Sequence, residues 1–499
     1  MSQTRESVHD PFKLSKIFVF SNDKNCDCLT TSLKGVVLVF LIASISLVLY
    51  STFAGQTRWF SCPECHNPSR NIAQICEYRD FSGENLGPTN ISHLVFGIGG
   101  STKTWKDRKH YSDLWWQPNT TRGFVWLDQK PDPDSLWSGN SPPYRVSSDW
   151  TRFKYVSSQS AVRISRIVLD TFQVGLPNVR WFVMGDDDTV FFTDNLVSVL
   201  ARYDHRQMYY IGGNSESVEQ DVMHSYGMAF GGGGFAISYP LAEELVKVFD
   251  GCLNRYYKFY GSDQRVWACV GELGVSLTKE RGFHQIDIRG DPYGLLAAHP
   301  VAPLVSLHHL DYVKPLFPNQ TQHESLRTLI QAYQVDPAQT SQQCFCHYQK
   351  LKWSVSISWG YTVQIYRSLL MAKDLATPLQ TFKTWRSWSN GPFTFNTRPV
   401  SPDPCQRPII FHLDSVKENG HGETLTSYKK YVVEPEKKCN KADYARAVAV
   451  ERIIVSALKM DPEEWKKAPR RQCCEVSSLK NGSLKMKIRS CNRWETVSN

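Results

Sequence analysis

Trp181-Phe182-Val183-Met184-Gly185-Asp186-Asp187-Asp188-Thr189-Val190 joins an apolar run of strand length to three consecutive carboxylates. Such a junction puts acceptor oxygens at the carboxyl end of a sheet strand, where open α/β sheets bind ligands. Three like charges in a row repel one another, and a divalent cation shared with substrate phosphate is the usual means of holding them. Alone, the triplet would read equally well as an acidic turn capping the next helix. The surrounding chain favours the ligand-binding reading.

Upstream, His93-Leu94-Val95-Phe96-Gly97-Ile98 predicts a buried strand ending in Gly99-Gly100, and Gly123-Phe124-Val125-Trp126-Leu127 predicts a second, closed by Asp128. Residues 149–174 space Phe153, Val156, Val162, Ile164, Ile167, Val168 and Phe172 as on a helix, with Arg152, Arg163 and Arg166 on its outer side. The alternation of strand and helix predicts a mostly parallel α/β sheet flanked by helices. Downstream, Met208–Gly213 and Met228-Ala229-Phe230 read as strands. Gly231-Gly232-Gly233-Gly234 then precedes Phe235-Ala236-Ile237-Ser238, and its glycines suit a loop closing on a sugar or phosphate, or simply a flexible turn. Gly261-Ser262-Asp263 opens a further helix, where Asp263 is either its cap or a carboxylate presented to a cleft. The apolar run Pro303–Leu307 meets His308 and His309, paired imidazoles that read as metal ligands downstream of an Asp cluster.

The chain has 499 residues, 41% of them hydrophobic, enough for a large core and two domains. Its net charge of +9 is dispersed among acids, without a basic arm or a basic-aromatic module, which argues against nucleic acid as a partner. Gly35–Tyr50 is free of charge, and the stretch 35–54 approaches the roughly 20 apolar residues a bilayer requires. Lys16, Lys24 and Lys34 precede it and Arg58 follows, so it reads as an uncleaved signal anchor with a cytosolic tail over 1–34. Of 14 cysteines, 12 follow this segment, as expected of disulfides in an oxidising lumen; Cys62-Pro-Glu-Cys65 reads as a disulfide pair before a zinc site. The acceptor sequons at Asn90, Asn119, Asn319 and Asn481 all lie on the same side of the anchor.

In order, Trp181-Phe182 with its Asp triplet, GGGGFAIS, Ser262-Asp263 and the histidine pair resemble the Fringe-type β1,3-glycosyltransferases of glycosyltransferase family 31, specifically the plant Fringe-related subgroup. Trp385-Arg386-Ser387-Trp388 and Pro408–His412 match that subgroup alone. The resemblance implies a GT-A-type nucleotide-sugar transferase domain over 89–315. It would sit behind a single transmembrane helix and a stem over 55–88, and a disulfide-rich extension of unknown role would occupy 316–499. It also implies Golgi type II topology and inverting transfer from a UDP-sugar, with Mn²⁺ or another divalent cation, to a glycan or glycoconjugate; oligomeric state stays open. By the same resemblance Asp188 is a metal ligand with His308 or His309, and Asp186 and Asp187 lie by the ribose and sugar. Asp128 and Arg108 contact the nucleotide, Gly232 and Gly233 belong to the donor loop, and Asp263 is the general base. Ser262 stands where many members carry a second acid. Two alternatives remain open. The strand-Asp-x-Asp pattern also fits a haloacid-dehalogenase-like phosphatase with Asp186 as nucleophile and Asp188 as acid, which requires a later lysine. The fold also suits a catalytically inactive glycan-binding membrane protein.

Overall fold

The computed structural model describes residues 38–46, 87–132, 137, 139–156, 159–431, 439 and 441–498. Residues 38–46 are helical with exposed side chains. Among the described residues no helix is long and apolar enough to cross a membrane, and most of the expected anchor at 35–54 lies outside them, as do Cys62 and Cys65. From Leu86 to Asn499 the chain forms one compact unit.

A seven-stranded sheet carries the site. Its strands run in the order Tyr144–Val146, Gly123–Leu127, Leu94–Gly99, Trp181–Asp186, Phe235–Ser238, Tyr210–Gly212, Leu277–Lys279. The first four are mutually parallel, whereas Phe235–Ser238 runs against both its neighbours. The sheet is therefore mixed but still mostly parallel, since Tyr210–Gly212 and Leu277–Lys279 run in the same direction as the first four. Every residue of Leu94–Gly99 is buried, as expected of a strand covered on both faces. One face packs on the helices Gln159–Gln173, Tyr239–Arg255 and Ser262–Glu272, the last two joined by the Cys252–Cys269 disulfide. This sandwich corrects one expectation: Arg163 and Arg166 are buried, because no face of the helix Gln159–Gln173 is left to solvent at those positions. The Arg163 guanidinium donates to the carbonyls of Trp126 (2.9 Å) and Gly100 (2.7 Å), tying two strand ends together. Arg166 pairs with Asp250 and lies 4.7 Å from the Phe153 ring centroid. Met228-Ala229-Phe230 is not a strand; it is buried coil in which the Ala229 amide donates to the Tyr210 hydroxyl and the Phe230 amide to the Gly213 carbonyl.

The carboxyl-terminal region closes into an eight-stranded barrel: Gln343–Tyr348, Trp353–Ser358, Thr362–Tyr366, Ile409–Asn419, Glu423–Lys430, Arg452–Leu458, Ser483–Arg489 and Cys473–Lys480. The later strands alternate in burial, with Ile453, Val455 and Ala457, then Leu484, Met486 and Ile488, turned inward. The strands Trp353–Ser358 and Thr362–Tyr366 are buried at every residue because the barrel's outer wall there rests on the preceding α/β region. Gln364 donates to the Tyr293 hydroxyl at 2.8 Å, and the Tyr361 hydroxyl donates to the Leu316 carbonyl at 3.1 Å. The barrel shuts through the single pairing Phe345–Cys473, and the Cys346–Cys474 disulfide staples this weakest seam. Cys405–Cys439 and Cys473–Cys491 add two more crosslinks, leaving Cys344 free and buried among the described residues.

Candidate active site

Register brings the site together. Gly99 lies opposite Asp186, so two parallel strands end level, and the Asp187 amide donates to the Gly99 carbonyl at 2.9 Å. The chain then turns: the Thr189 amide bonds the Asp186 carbonyl (3.1 Å), while the Thr189 hydroxyl accepts from the Asp186 amide (2.9 Å) and donates to the Gly232 carbonyl (2.7 Å). The triplet is thus splayed, with Asp186 and Asp188 sharing one side and Asp187 turned from it. Asp187 turns inward and accepts from Thr104 Oγ1 (2.8 Å) and Arg108 Nη1 (3.0 Å). Arg108 Nη2 lies 3.2 Å from Asp188 Oδ2, and His308 Nε2 is 3.0 Å from Asp188 Oδ1 and 3.8 Å from Asp186 Oδ2.

Asp186, Asp188 and His308 offer ligand atoms within 4.8 Å of one another. Asp188 Oδ1 has only the His308 ring beside it, and His308 Nδ1 is buried without a hydrogen-bond partner. Two carboxylate oxygens and an imidazole nitrogen, incompletely satisfied by the protein, make a donor set that fits a divalent cation. Partial burial pushes the Asp186 carboxyl up to about 7, helped by Asp188, Asp263 and Asp187 and opposed by His308. Burial works against ionisation of Asp188 too, yet His308 and Arg108 hold it well below the usual carboxylate range. Burial and the neighbouring Asp188 raise Asp187, with Arg108 opposing. His308 is raised to about 9: burial opposes the charge, but Asp188 and Asp186 outweigh it.

Asp263 joins this cluster across the fold. It lines one pocket with Asp186, Gly231, Gly232, Gln285, His308 and His309, and its Oδ2 accepts from the Gly231 amide at 2.8 Å. No lysine lines that pocket, although the phosphatase alternative calls for one. His309 turns away from Asp188: it takes a left-handed backbone (φ 53°), its Nδ1 lies 2.8 Å from Asp287 Oδ1, and its ring stacks on Trp385. Arg108, expected at the nucleotide, is forked onto Asp187 and Asp188. Asp128 accepts from the amide of Thr102 (2.8 Å) at the start of the helix Thr102–Asp113.

The glycines have a local reason beyond flexibility. A Cβ on Gly232 would overlap the His308 ring, so only glycine lets the imidazole reach Asp188. The Gly233 amide donates to Gln285 Oε1 (2.5 Å), and Gly234 is left-handed (φ 85°). The sequence reading missed Thr104 and Gln285, whose residue types carry no signal until the fold places them. Asp186, expected beside the sugar or ribose, is grouped with Asp188 and His308 because the turn after Gly185 points the first and third carboxylates the same way.

Residues 146–290, which span the triplet and Asp263, match the Fringe-like family model. Residues 220–474, just over half of the chain, match the family described as protein of unknown function DUF604. No curated protein matches the chain. Among solved structures, a crystal structure of an active-site mutant of LgtC aligns over 47% of this chain and 94% of its own, at 11% identity and a TM-score of 0.31, a likeness too distant to bear on the argument. Part of the mixed α/β sheet and the site it carries is thus similar to the Fringe-like family. The chain belongs to the DUF604 family.

Proposed function

We propose that the protein transfers a sugar, with inversion and in β1,3 linkage, from a UDP-sugar to a hydroxyl of a glycan or glycoconjugate. The observation that carries this reading is the meeting of Asp263 with Asp186 and His308 in one pocket, from elements far apart in sequence. Asp186, Asp188 and His308 would hold a divalent cation such as Mn²⁺, which when bound neutralises charge on the departing diphosphate. Arg108 and Thr104 fix Asp187, and Arg108 also fixes Asp188, so the carboxylates are oriented before the donor arrives. The acceptor oxygen attacks the anomeric carbon as the bond to the diphosphate breaks, and its proton passes to the Asp263 carboxylate. The amide of Gly231 holds that carboxylate in place. No covalent enzyme intermediate is needed.

The setting we propose is the Golgi lumen, with the chain anchored by residues 35–54 in type II orientation. Asn90, Asn119, Asn319 and Asn481 are all exposed, and the last three sit in left-handed turns accessible to modification. Endoglycosidase treatment of protein from a secretory host is expected to increase its gel mobility; no change, with cytosolic protease access to the carboxyl end, reverses the orientation.

The activity is tested by screening UDP-sugars for hydrolysis by the full-length protein with and without Mn²⁺. Metal-dependent turnover of one donor is expected. Phosphate release from a simple phosphomonoester, without turnover of any UDP-sugar, would establish the phosphatase chemistry instead.

A further inference from the structure

Between two barrel strands, after Tyr366 and before Ile409, the chain leaves the barrel and returns to the transferase region. Phe382–Thr384 pairs antiparallel with Ile288–Gly290, and Phe382, Phe393 and Phe395 pack on one another beneath it. The Thr394 amide donates to the Glu216 carbonyl at 3.1 Å, and Glu219 accepts from the amides of Arg386 (2.9 Å) and Ser387 (3.3 Å). The segment is pinned on three sides. Its tip nevertheless leaves Trp388 61% exposed, beside Tyr312 at 43%.

The tip builds an aromatic shelf at the mouth of the pocket. The Trp385 ring lies parallel to that of His309, 4.5 Å between centroids and 7° between planes, and His309 lines the pocket with Asp263. The Arg289 guanidinium carbon lies 3.8 Å from the Trp385 ring centroid, 4.8 Å from that of Tyr312 and 5.7 Å from that of Trp388. A hydrogen bond from Arg289 Nε to the Trp385 carbonyl (3.2 Å) completes the shelf. Exposed aromatic faces held rigid around a guanidinium are a poor arrangement for stability alone. They suit a ligand with an apolar face and a hydroxylated rim, which a sugar ring has.

We propose that Trp388, Tyr312, Trp385 and Arg289 form the acceptor subsite, seating a neutral sugar ring of the glycan whose hydroxyl faces Asp263. The inference rests on the transferase reading above and adds where the acceptor lies and what recognises it. Placement supports acceptor over donor. The nucleotide-binding end of such sheets is the parallel half, here Gly123–Leu127 and Leu94–Gly99 on one flank of Trp181–Asp186. The shelf is anchored to segments after Tyr210–Gly212 and to Ile288–Gly290, which follow strands on the other flank. The subsite's chief aromatic residues, Trp385 and Trp388, belong to the carboxyl-terminal region, giving that region a part in specificity.

The test uses full-length protein on an array of neutral oligosaccharides, beside calorimetric titration with UDP and Mn²⁺. Wild-type protein is expected to bind a subset of the array, and Trp388→Ala and Tyr312→Ala to lose about tenfold or more of that binding. UDP affinity in both variants should stay within about twofold of wild type, with thermal melts unchanged because both side chains are exposed. Array binding that survives both substitutions overturns the subsite, as does UDP affinity that falls with them, since the shelf then serves the nucleotide. Turnover of a UDP-sugar with no array binding by wild-type protein also overturns the subsite while the transferase reading stands. Array binding lost in Trp388→Ala, with no UDP binding by wild type, upholds the glycan shelf and sinks the transferase.

Discussion

The carboxyl end of Trp181–Asp186 and the interior of the barrel handle polar groups in opposite ways. Inside the barrel, Thr424 and Thr426 are fully buried, yet their hydroxyls donate to the Ala457 and Val455 carbonyls at 3.1 and 3.3 Å, and the remaining inward side chains are mainly apolar. At the strand end, three carboxylates and an imidazole crowd together, and the buried Nδ1 of His308 lacks a partner. Buried polar groups are normally satisfied, so such a concentration of incompletely bonded charge marks the place where a ligand completes the structure. The barrel is built to persist, and the strand end to bind.

The strongest way to break this contrast is Asp188→Asn, which keeps the size and removes the charge. Turnover of the UDP-sugar is expected to fall by about three orders of magnitude or more, with the fold retained but the melting temperature lowered, since Arg108 and His308 lose the charge that pairs with them. Near-normal turnover in the folded variant would remove Asp188 from the site's chemistry. Asp263→Asn comes next: turnover should drop by about two to three orders of magnitude with UDP affinity within about twofold, because its contribution is made only in the transition state. A mere helix cap would lose about 1 kcal/mol of stability and little rate.

Gly232→Ala sharpens the comparison from outside the ligand set. Its Cβ would displace the His308 ring, and Mn²⁺ affinity should weaken by about 10- to 100-fold with the fold retained. Gly271→Ala, where nothing lies within 4 Å of the new methyl, is the control and should leave metal affinity unchanged. Smallest is Ile453→Val in the barrel, where loss of one buried methylene should cost about 1 kcal/mol in denaturant unfolding and leave Mn²⁺ and UDP binding untouched. Altered metal binding in that variant would show that barrel packing reaches the site.

Much of this was legible in the chain. Leu94–Gly99, Gly123–Leu127 and Trp181–Asp186 announce themselves because strands buried on both faces need continuous apolar runs, and local sequence suffices to specify those. Asp188, Asp263 and the histidine pair were visible as chemistry at predicted strand and helix ends. Tertiary structure decided the rest. His308 rather than His309 faces Asp188 because a left-handed turn at His309 sends successive rings to different partners. Arg163 and Arg166 are buried because two later helices cover their helix, which its own periodicity cannot reveal. Closure of the barrel depends on Phe345 meeting Cys473, and the stapling disulfide beside it spans 128 residues. Such long-range pairing is set by the packing of the whole core, whereas strands and helix ends are set by neighbours in sequence.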